Sequence, residues 1–179
     1  VYKFILLESE EICDIISQEH TILHFRRSFK MEIERKFLIT NPLFNYDTYP
    51  FHTIEQGYLC TEPVVRVRRE DDTCYLTYKS KGLLSREEYN LPLTKESYDH
   101  LISKADGNII SKKRYFIPIE GTELTIEFDV FEGKFEGLIL AEVEFETVEE
   151  AEAFTPPEWF GRDVTFSGEY QNSRLAGLV

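Results

Sequence analysis

Residues 31–39 read Met-Glu-Ile-Glu-Arg-Lys-Phe-Leu-Ile, and they begin a pattern that recurs through most of the chain. Charged Glu32, Glu34 and Lys36 alternate along it with Ile33, Arg35 and Phe37. A period of two is typical of a β-strand that has one polar and one apolar face. The stretch therefore predicts a first strand whose polar face carries two carboxylates and an ammonium group.

The same alternation returns at intervals over the next hundred residues. Further strands are predicted around Gln56 and Tyr58, Val64–Arg68, Tyr75–Lys79, Arg86–Asn90, Lys112–Tyr115, Ile126–Val130 and Ala141–Phe145. Turn signals separate them, at Gly82, the Asp106-Gly107-Asn108 cluster, Gly121, Gly133 and Gly137. Many short strands in succession favour an antiparallel sheet or barrel.

Two segments carry helix signals instead. Thr94 is a capping residue ahead of apolar residues spaced three to four apart, in a run that ends near Gly107. Thr147 begins a second run, which has acidic residues in its first turn and stops at Pro156. The chain is therefore expected to be mainly β, of the α+β class, with a few helices outside the strands.

Composition excludes several classes of protein. The 179 residues fit one domain, and with 42% hydrophobic residues the chain can bury a core. The net charge of −13 repels nucleic-acid backbones, so duplex DNA is not an expected partner. No apolar run is long enough to span a membrane. The three cysteines lack Cys-x-x-Cys spacing, which indicates neither a disulfide framework nor a cysteine zinc site and favours the cytoplasm.

The first thirty residues differ from the rest. Met31 is the only methionine and directly precedes the alternating pattern. We therefore expect residues 1–30 to be an N-terminal extension, upstream of a true start at Met31, and residues 31–179 to be the domain. The alternative is an amphipathic helix over Ser9–Phe25 that docks on the domain.

The charged strand faces allow two interpretations. They form either the solvated outside of a sheet or the lining of a wet lumen. Acids recur as i, i+2 pairs at Glu32 and Glu34 and at 142 and 144, while bases pair at 66 and 68. Two carboxylates about 7 Å apart on one strand repel each other by about 2 kcal/mol. Several such pairs around one space would require a cation.

A closed barrel of eight antiparallel strands would make the charged faces a lumen and would remove exposed sheet edges. Its acids would be Glu32, Glu34, Glu88, Glu127, Asp129, Glu142 and Glu144, and its bases Lys36, Arg66, Arg68, Lys79, Arg86, Lys112 and Arg114. Arginine and lysine suit phosphate oxygens, and clustered carboxylates suit hard ions such as Mg²⁺ or Mn²⁺. A metal bridging a polyphosphate is the ligand that this chemistry describes.

The Glu32-Ile-Glu-Arg-Lys36 sequence resembles the Glu-x-Glu-x-Lys signature of the CYTH superfamily, the triphosphate tunnel metalloenzymes. Later segments resemble the successive tunnel strands of that family in order: Gln56–Leu59, Val65–Arg68, Leu76–Lys79, Lys112–Tyr115, Glu127–Phe131 and Ala141–Phe145. The resemblance extends over residues 31–176. It implies a closed eight-stranded antiparallel tunnel that binds a triphosphate with a divalent metal.

The resemblance also implies roles for single residues. Glu32, Glu34, Glu142 and Glu144 would hold Mg²⁺ or Mn²⁺, and Glu127 and Asp129 would assist metal or water. The catalytic set would thus be Glu32, Glu34, Lys36, Glu127 and Asp129. Phosphates would be bound by Lys36, Arg66, Arg68, Lys79, Arg86, Lys112 and Arg114, with Glu88 as a further tunnel carboxylate. Asn90 stands where many members have another acid.

The small bacterial members that the chain most resembles imply metal-dependent hydrolysis of inorganic tripolyphosphate, with water attacking a terminal phosphorus. The alternatives within the family are a class IV adenylate cyclase and a thiamine triphosphatase. An alternative of another class is a polyphosphate or nucleotide sensor that binds without turnover. The expected partner is a small triphosphate, and the outward apolar strand faces leave a homodimer open.

Overall fold

The computed structural model describes residues 29–177, except for the side chains of residues 29, 30 and 86. The proposed helix over 9–25 and most of the extension over residues 1–30 lie outside this range. The first strand begins at Phe29, two residues before Met31.

Eight antiparallel strands close into a barrel, which confirms the predicted fold class. Around the barrel the order is β1-β5-β4-β3-β2-β6-β7-β8. The strands are β1 Phe29–Leu38, β2 Phe51–Thr61, β3 Val64–Glu70, β4 Thr73–Lys79, β5 Ser85–Leu93, β6 Asp106–Pro118, β7 Thr125–Glu132 and β8 Ile139–Glu144.

Strand β1 closes the barrel by changing partners along its length. Its first half pairs with β5, where Glu32 lies opposite Arg86, and its second half pairs with β8. In that second half Glu34 lies opposite Glu144, and Lys36 lies opposite Glu142. Directly opposed residues share a face of a sheet. The register therefore brings the charged side chains of β1, β5 and β8 to one side.

The apolar core lies outside the barrel. Phe37, Phe128 and Ala141 are buried in the largest cluster, which segments 44–49 and 154–160 help to cover, while Val67 and Tyr98 form a separate cluster. On the opposite faces of the same strands, charged side chains are buried too, including Lys36, Arg66, Arg68, Lys79, Arg114 and Glu142. The charged faces thus line a lumen, and a solvated outer face is the wrong interpretation for them.

Three α-helices lie outside the barrel in the described residues: α1 Lys95–Ile102, α2 Val148–Ala153 and α3 Asn172–Ala176. The first two are the predicted ones. Thr94 caps α1, and Thr147 with Glu150 forms a capping box on α2. Helix α3 was not predicted, because its five residues are too few to show an apolar period. No helix in residues 29–177 is long and apolar enough to cross a membrane.

Arg35 links the first strand to its outer cover. Its guanidinium donates to the carbonyl oxygens of Ala151 and Phe154, at 3.1 and 2.8 Å, and to Asp163 Oδ2 at 2.6 Å. It also lies 5.1 Å from the ring centroid of Phe37. The outer face of the Glu-x-Glu-x-Lys strand therefore holds helix α2 and Asp163 against the barrel. The other face of the same strand lines the lumen.

Gly57 on β2 allows the close approach of α1 and the segment after it. A Cβ at this position would lie 2.6 Å from Ala105 Cβ and 2.7 Å from Ile102 Cδ1. We expect Gly57→Ala to lower the free energy of unfolding by about 1–3 kcal/mol, because the helix must shift. Thermal unfolding followed by circular dichroism measures this.

Gly177→Ala is the matched control. There the nearest atoms to an added Cβ are 3.6 and 3.8 Å away, which is ordinary contact, so we expect a change within about 0.5 kcal/mol. Equal losses in the two variants would contradict the close-packing explanation for Gly57.

Candidate functional site

The lumen encloses a cavity of about 260 Å³. It lies between all the strands that carry charged residues on their inner faces. Its lining includes Glu32, Glu34, Lys36, Arg66, Arg68, Lys79, Glu88, Arg114, Glu127, Glu142 and Glu144. The alternating pattern therefore predicted most of the charged lining correctly.

Lys79 compensates the carboxylates on one side of the cavity. Its Nζ lies 2.5 and 2.7 Å from the two carboxylate oxygens of Glu32 and 2.6 Å from Glu88 Oε2. Burial would raise the pKa of Glu88, but Lys79 holds it below its usual range. These three side chains come from β4, β1 and β5, so the site depends on barrel closure.

Lys36 and Arg114 compensate the carboxylates on the other side of the cavity. Lys36 Nζ lies 2.8 Å from Glu142 Oε1 and 3.3 Å from Glu34 Oε1, and Arg114 Nη2 lies 2.6 Å from Glu142 Oε2. Burial alone would raise the pKa of Glu142. The two cations instead hold that pKa well below its usual range, so this carboxylate stays ionised.

Arg66 and Arg68 on β3 differ from these cations. They are only 4% and 8% exposed, and neither has a carboxylate within ion-pair distance among the described residues. Arg66 Nη2 donates to Thr77 Oγ1 at 3.0 Å, and its Nε has no hydrogen-bond partner in residues 29–177. Burial, and then the neighbouring Arg68, lowers the pKa of Arg66. Glu88 attracts Arg66, and Glu70 attracts Arg68, but neither carboxylate forms an ion pair with them, so the charge of the two arginines is only partly compensated.

Lys112 and Asp129 lie behind the cavity wall rather than on it. Both are fully buried and contact each other, and Arg114 also donates to Asp129. Neither is among the residues that line the cavity, so their predicted direct roles with phosphate and water remain predictions. Burial, followed by the nearby Arg114, lowers the pKa of Lys112 to about 8, against the pull of Asp129.

This shift predicts how stability depends on pH. Between about pH 8 and pH 10.5 the unfolded chain keeps a proton on Lys112 that the folded protein has released, so stability rises with pH there. We expect the free energy of unfolding to rise by up to about 1.4 kcal/mol per pH unit relative to Lys112→Met. Urea unfolding of both proteins at pH 8, 9 and 10 measures the difference. A constant difference across this range would contradict the lowered pKa.

Glu127 is the lumen carboxylate whose pKa moves in the opposite direction. Burial raises its pKa, and the contact with Arg114 only partly opposes that effect. The side chain lines the cavity and is 30% exposed. A carboxylate with a raised pKa beside a ligand space is suited to accept a proton from water.

The carboxylates that line the cavity are the type of ligand that binds a hard divalent ion. Glu32, Glu34, Glu142 and Glu144 line one cavity, and carboxylate oxygens are the ligands that Mg²⁺ and Mn²⁺ prefer. However, no group of three or more His, Cys, Asp or Glu side chains in residues 29–177 is gathered closely enough to hold a metal. Lysine ammonium groups lie among these carboxylates instead. The assignment of the four glutamates to metal thus stays a prediction.

The structure also brings uncharged residues to the lumen that the sequence did not single out for the site. Gln56 Oε1 accepts from Arg68 Nε at 2.9 Å, and Tyr75 Oη accepts from Arg68 Nη1 at 3.2 Å. The cavity lining adds the uncharged residues Tyr58, Val64, Phe116, Gln171, Asn172 and Ser173, together with His52 and one further carboxylate, Glu70. The alternation did place Gln56 and Tyr58 on one face. Arg86 is predicted to bind phosphate. The structure describes its backbone position, on β5 opposite Glu32, and that role stays a prediction.

A wider groove of about 1150 Å³ adjoins the cavity. The two share Phe116, Glu127 and Glu144 in their linings. The groove is otherwise lined by a mixture of apolar and acidic residues, among them Met31, Glu123, Leu124, Phe145 and Phe154. Large groups can therefore lie outside the narrow part of the lumen.

Known proteins show what this arrangement is similar to. Residues 30–176 match the CYTH domain family. An inorganic triphosphatase of Nitrosomonas europaea is 38% identical over 149 residues, which is 81% of this chain and 96% of that protein. An inorganic triphosphatase of Acetivibrio thermocellus is 36% identical over 151 residues, covering 80% of this chain and 92% of that protein.

Solved structures agree in fold. The crystal structure of an inorganic triphosphatase superposes with a TM-score of 0.63 at 33% identity, covering 83% of this chain and 95% of that one. A putative adenylate cyclase from Bacillus halodurans superposes with a TM-score of 0.50 at 18% identity, covering 70% of this chain and 86% of that one. At that identity the second likeness concerns the fold alone.

Proposed function

This chain belongs to the CYTH domain family, and from that premise we propose that it hydrolyses inorganic tripolyphosphate in a reaction that depends on Mg²⁺ or Mn²⁺. The observation that carries the proposal is the buried pair Arg66 and Arg68, which faces the cavity without a carboxylate partner. Buried charge is costly unless it is compensated, and a phosphate oxyanion supplies that compensation. The names of the two relatives support tripolyphosphate as the substrate.

The residues of the lumen divide the work of hydrolysis. Arg66 and Arg68 would bind and orient phosphate oxygens, and Arg114 would stabilise negative charge that builds up during the transfer. Glu127 would take the proton from the attacking water, because burial already raises its pKa. Water attack on a terminal phosphorus then gives diphosphate and orthophosphate.

Glu32, Glu34, Glu142 and Glu144 would hold the metal. When bound, it would supply charge screening of the phosphates and a lower pKa for the attacking water. The lysines that now compensate these carboxylates would then become available to phosphate oxygens.

The size of the cavity favours an inorganic substrate over a nucleotide. Its 260 Å³ lie below the roughly 300–1,000 Å³ of pockets that enclose drug-sized ligands. An organic group on the phosphate chain would have to lie in the adjoining groove, whose lining includes Phe116, Phe145 and Phe154. This groove is the specific reason to keep thiamine triphosphate and ATP as test substrates.

Orthophosphate release from tripolyphosphate, ATP and thiamine triphosphate, measured side by side with Mg²⁺, with Mn²⁺ and with chelator, tests the proposal. We expect metal-dependent release chiefly from tripolyphosphate. Faster release from thiamine triphosphate or ATP would overturn the assigned substrate, and formation of cyclic AMP would identify a cyclase. Binding of tripolyphosphate without turnover under any condition would indicate a sensor.

A further inference from the structure

A second groove, of about 580 Å³, opens from the lumen at the end opposite the wide groove. Four residues line both this groove and the lumen cavity: Val64, Lys79, Gln171 and Ser173. Strand β2 runs from one end to the other. Phe51 pairs with Tyr115, the neighbour of the wide-groove residue Phe116, whereas Thr61 pairs with Val64 in the second groove. The lumen is therefore open to a groove at each end.

The two openings carry opposite charge. The second groove, which we call the basic mouth, is lined by Lys79, Lys81 and Arg174 and by one carboxylate, Glu62. The wide groove, the acidic mouth, has no lysine or arginine in its lining within the described part of the chain. It has five glutamates instead: Glu123, Glu127, Glu144, Glu146 and Glu150. An anion is therefore attracted at one end of the lumen and repelled at the other.

The positive charge of the basic mouth continues into the lumen. Lys81, in the loop between β4 and β5, and Arg174, on α3, are exposed at the outside. Lys79 lines both the mouth and the cavity, and it lies opposite Val64 on β3. Arg66 follows two residues later on the same face of β3 and lines the cavity. Cationic side chains thus extend from solvent to the interior.

We propose that Lys81 and Arg174 form a steering rim, which attracts inorganic tripolyphosphate to the lumen and makes the basic mouth its entrance. The proposal rests on the proposed function, because it assigns the route of the same substrate. Tripolyphosphate carries no organic group and can reach the lumen from either end. With a net charge of −13 the protein repels it elsewhere, so a local positive field decides where it enters.

Lys81 remains able to meet a phosphate group although it has an ion-pair partner. Its Nζ lies 2.6 Å from Glu62 Oε1, and the two side chains are 81% and 72% exposed. Exposed ion pairs are weak and compete with water and salt, so a phosphate oxygen can replace the carboxylate. Since the rim lies outside the lumen, it should act on KM and leave the chemical step to the residues inside.

The test is hydrolysis of tripolyphosphate with Mg²⁺ at rising concentrations of potassium chloride. Lys81→Glu, Arg174→Glu should lower kcat/KM at least tenfold at low salt, chiefly through KM, and the loss should shrink as salt screens the exposed charges. Lys95→Glu, Lys113→Glu is the control, because it changes the net charge equally at positions that line neither mouth nor cavity. It should lower kcat/KM less than threefold, and thermal unfolding checks both folds.

Two neutral substitutions test which end is the entrance. Glu62→Gln removes the carboxylate of the basic mouth and should raise kcat/KM about twofold to fivefold at low salt, an effect that loss of a structural contact does not produce. Glu146→Gln removes one carboxylate of the acidic mouth and should have a smaller effect. A larger gain from Glu146→Gln than from Glu62→Gln would place the entrance at the acidic mouth and overturn the proposal.

Equal losses in the rim variant and its control, or a loss that does not shrink with salt, would also overturn the steering rim. Its failure is distinguishable from failure of the proposed function. Protein that hydrolyses tripolyphosphate regardless of the rim retains the function and loses the rim. If no triphosphate is hydrolysed, the function is lost, and calorimetric titration of tripolyphosphate into the same variants tests the rim by the same differences in affinity.

Discussion

Replacing Glu32 by Gln is expected to lower kcat/KM for tripolyphosphate at least a hundredfold, equivalent to about 2.7 kcal/mol, while the barrel stays folded. The amide keeps the size of the side chain but cannot provide a charged metal ligand. It also removes one of the two carboxylates that contact Lys79, the other being Glu88. Orthophosphate release over a range of Mg²⁺ and Mn²⁺ concentrations measures the loss, and thermal unfolding checks the fold.

Glu87→Gln is the control for this prediction. Glu87 is the neighbour of Glu88 on β5, is exposed and does not line the cavity. Its replacement makes the same change of charge on the outside of the barrel, and we expect activity within about twofold of the unaltered protein. Activity of Glu32→Gln within tenfold of that control would contradict a catalytic role for Glu32.

The second large effect is expected at Arg114, whose removal should destabilise the fold. Its guanidinium contacts Glu127, Asp129 and Glu142, all on β7 and β8. Arg114→Met would leave these carboxylates with less compensation in a buried place, and loss of one partner of a buried ion pair costs about 3–5 kcal/mol. Urea unfolding of the metal-free protein measures the loss.

A double variant separates charge from packing at this position. Asp129→Asn should recover part of the loss in the Arg114→Met background, by about 0.5–3 kcal/mol, because it removes one of the buried charges that the loss of Arg114 leaves less compensated. Arg69→Met is the control on the outer face, where the 40% exposed side chain pairs with Glu55, and it should cost below about 1 kcal/mol. A loss at Arg114 no larger than at Arg69 would contradict the prediction.

The sequence predicted which side chains share the lumen because the period of a strand is fixed by the pleat. Once Glu32, Glu34 and Lys36 were placed on one face, the same rule placed Arg66, Arg68 and Lys79 on the equivalent faces of their strands. The structure confirms these six as cavity lining. The prediction of a closed barrel is also confirmed, since the eight alternating segments correspond to its eight strands.

Partners within the lumen could not be predicted in the same way. Lys79 contacts Glu32 across 47 positions of sequence, and that contact depends on the stagger of strands around the barrel. The alternation also placed Lys112 and Asp129 with the cavity residues, although they are fully buried behind its wall. Depth within a lumen depends on neighbouring side chains, which a strand period does not describe.

Uncharged site residues were missed for another reason. Gln56, Tyr75 and Thr77 orient the two β3 arginines, yet none carries a charge that would mark it in an alternating pattern. Asn90 did stand out as an amide at a position where an acid was expected, and the structure links it to Thr77. The cavity residues from 171 to 173 belong to a helical turn too short for periodicity to show.

Because the apolar core lies outside the barrel, the inward side chains of each strand face the ligand space, while its outward side chains pack in the core. Val67, between Arg66 and Arg68, is fully buried against the outer cover, while its two neighbours meet the ligand space. Charge-neutral exchanges in the lumen therefore leave the hydrophobic packing untouched. The barrel is a scaffold in which the preferred anion can be redesigned, one inward position at a time, without repacking the protein.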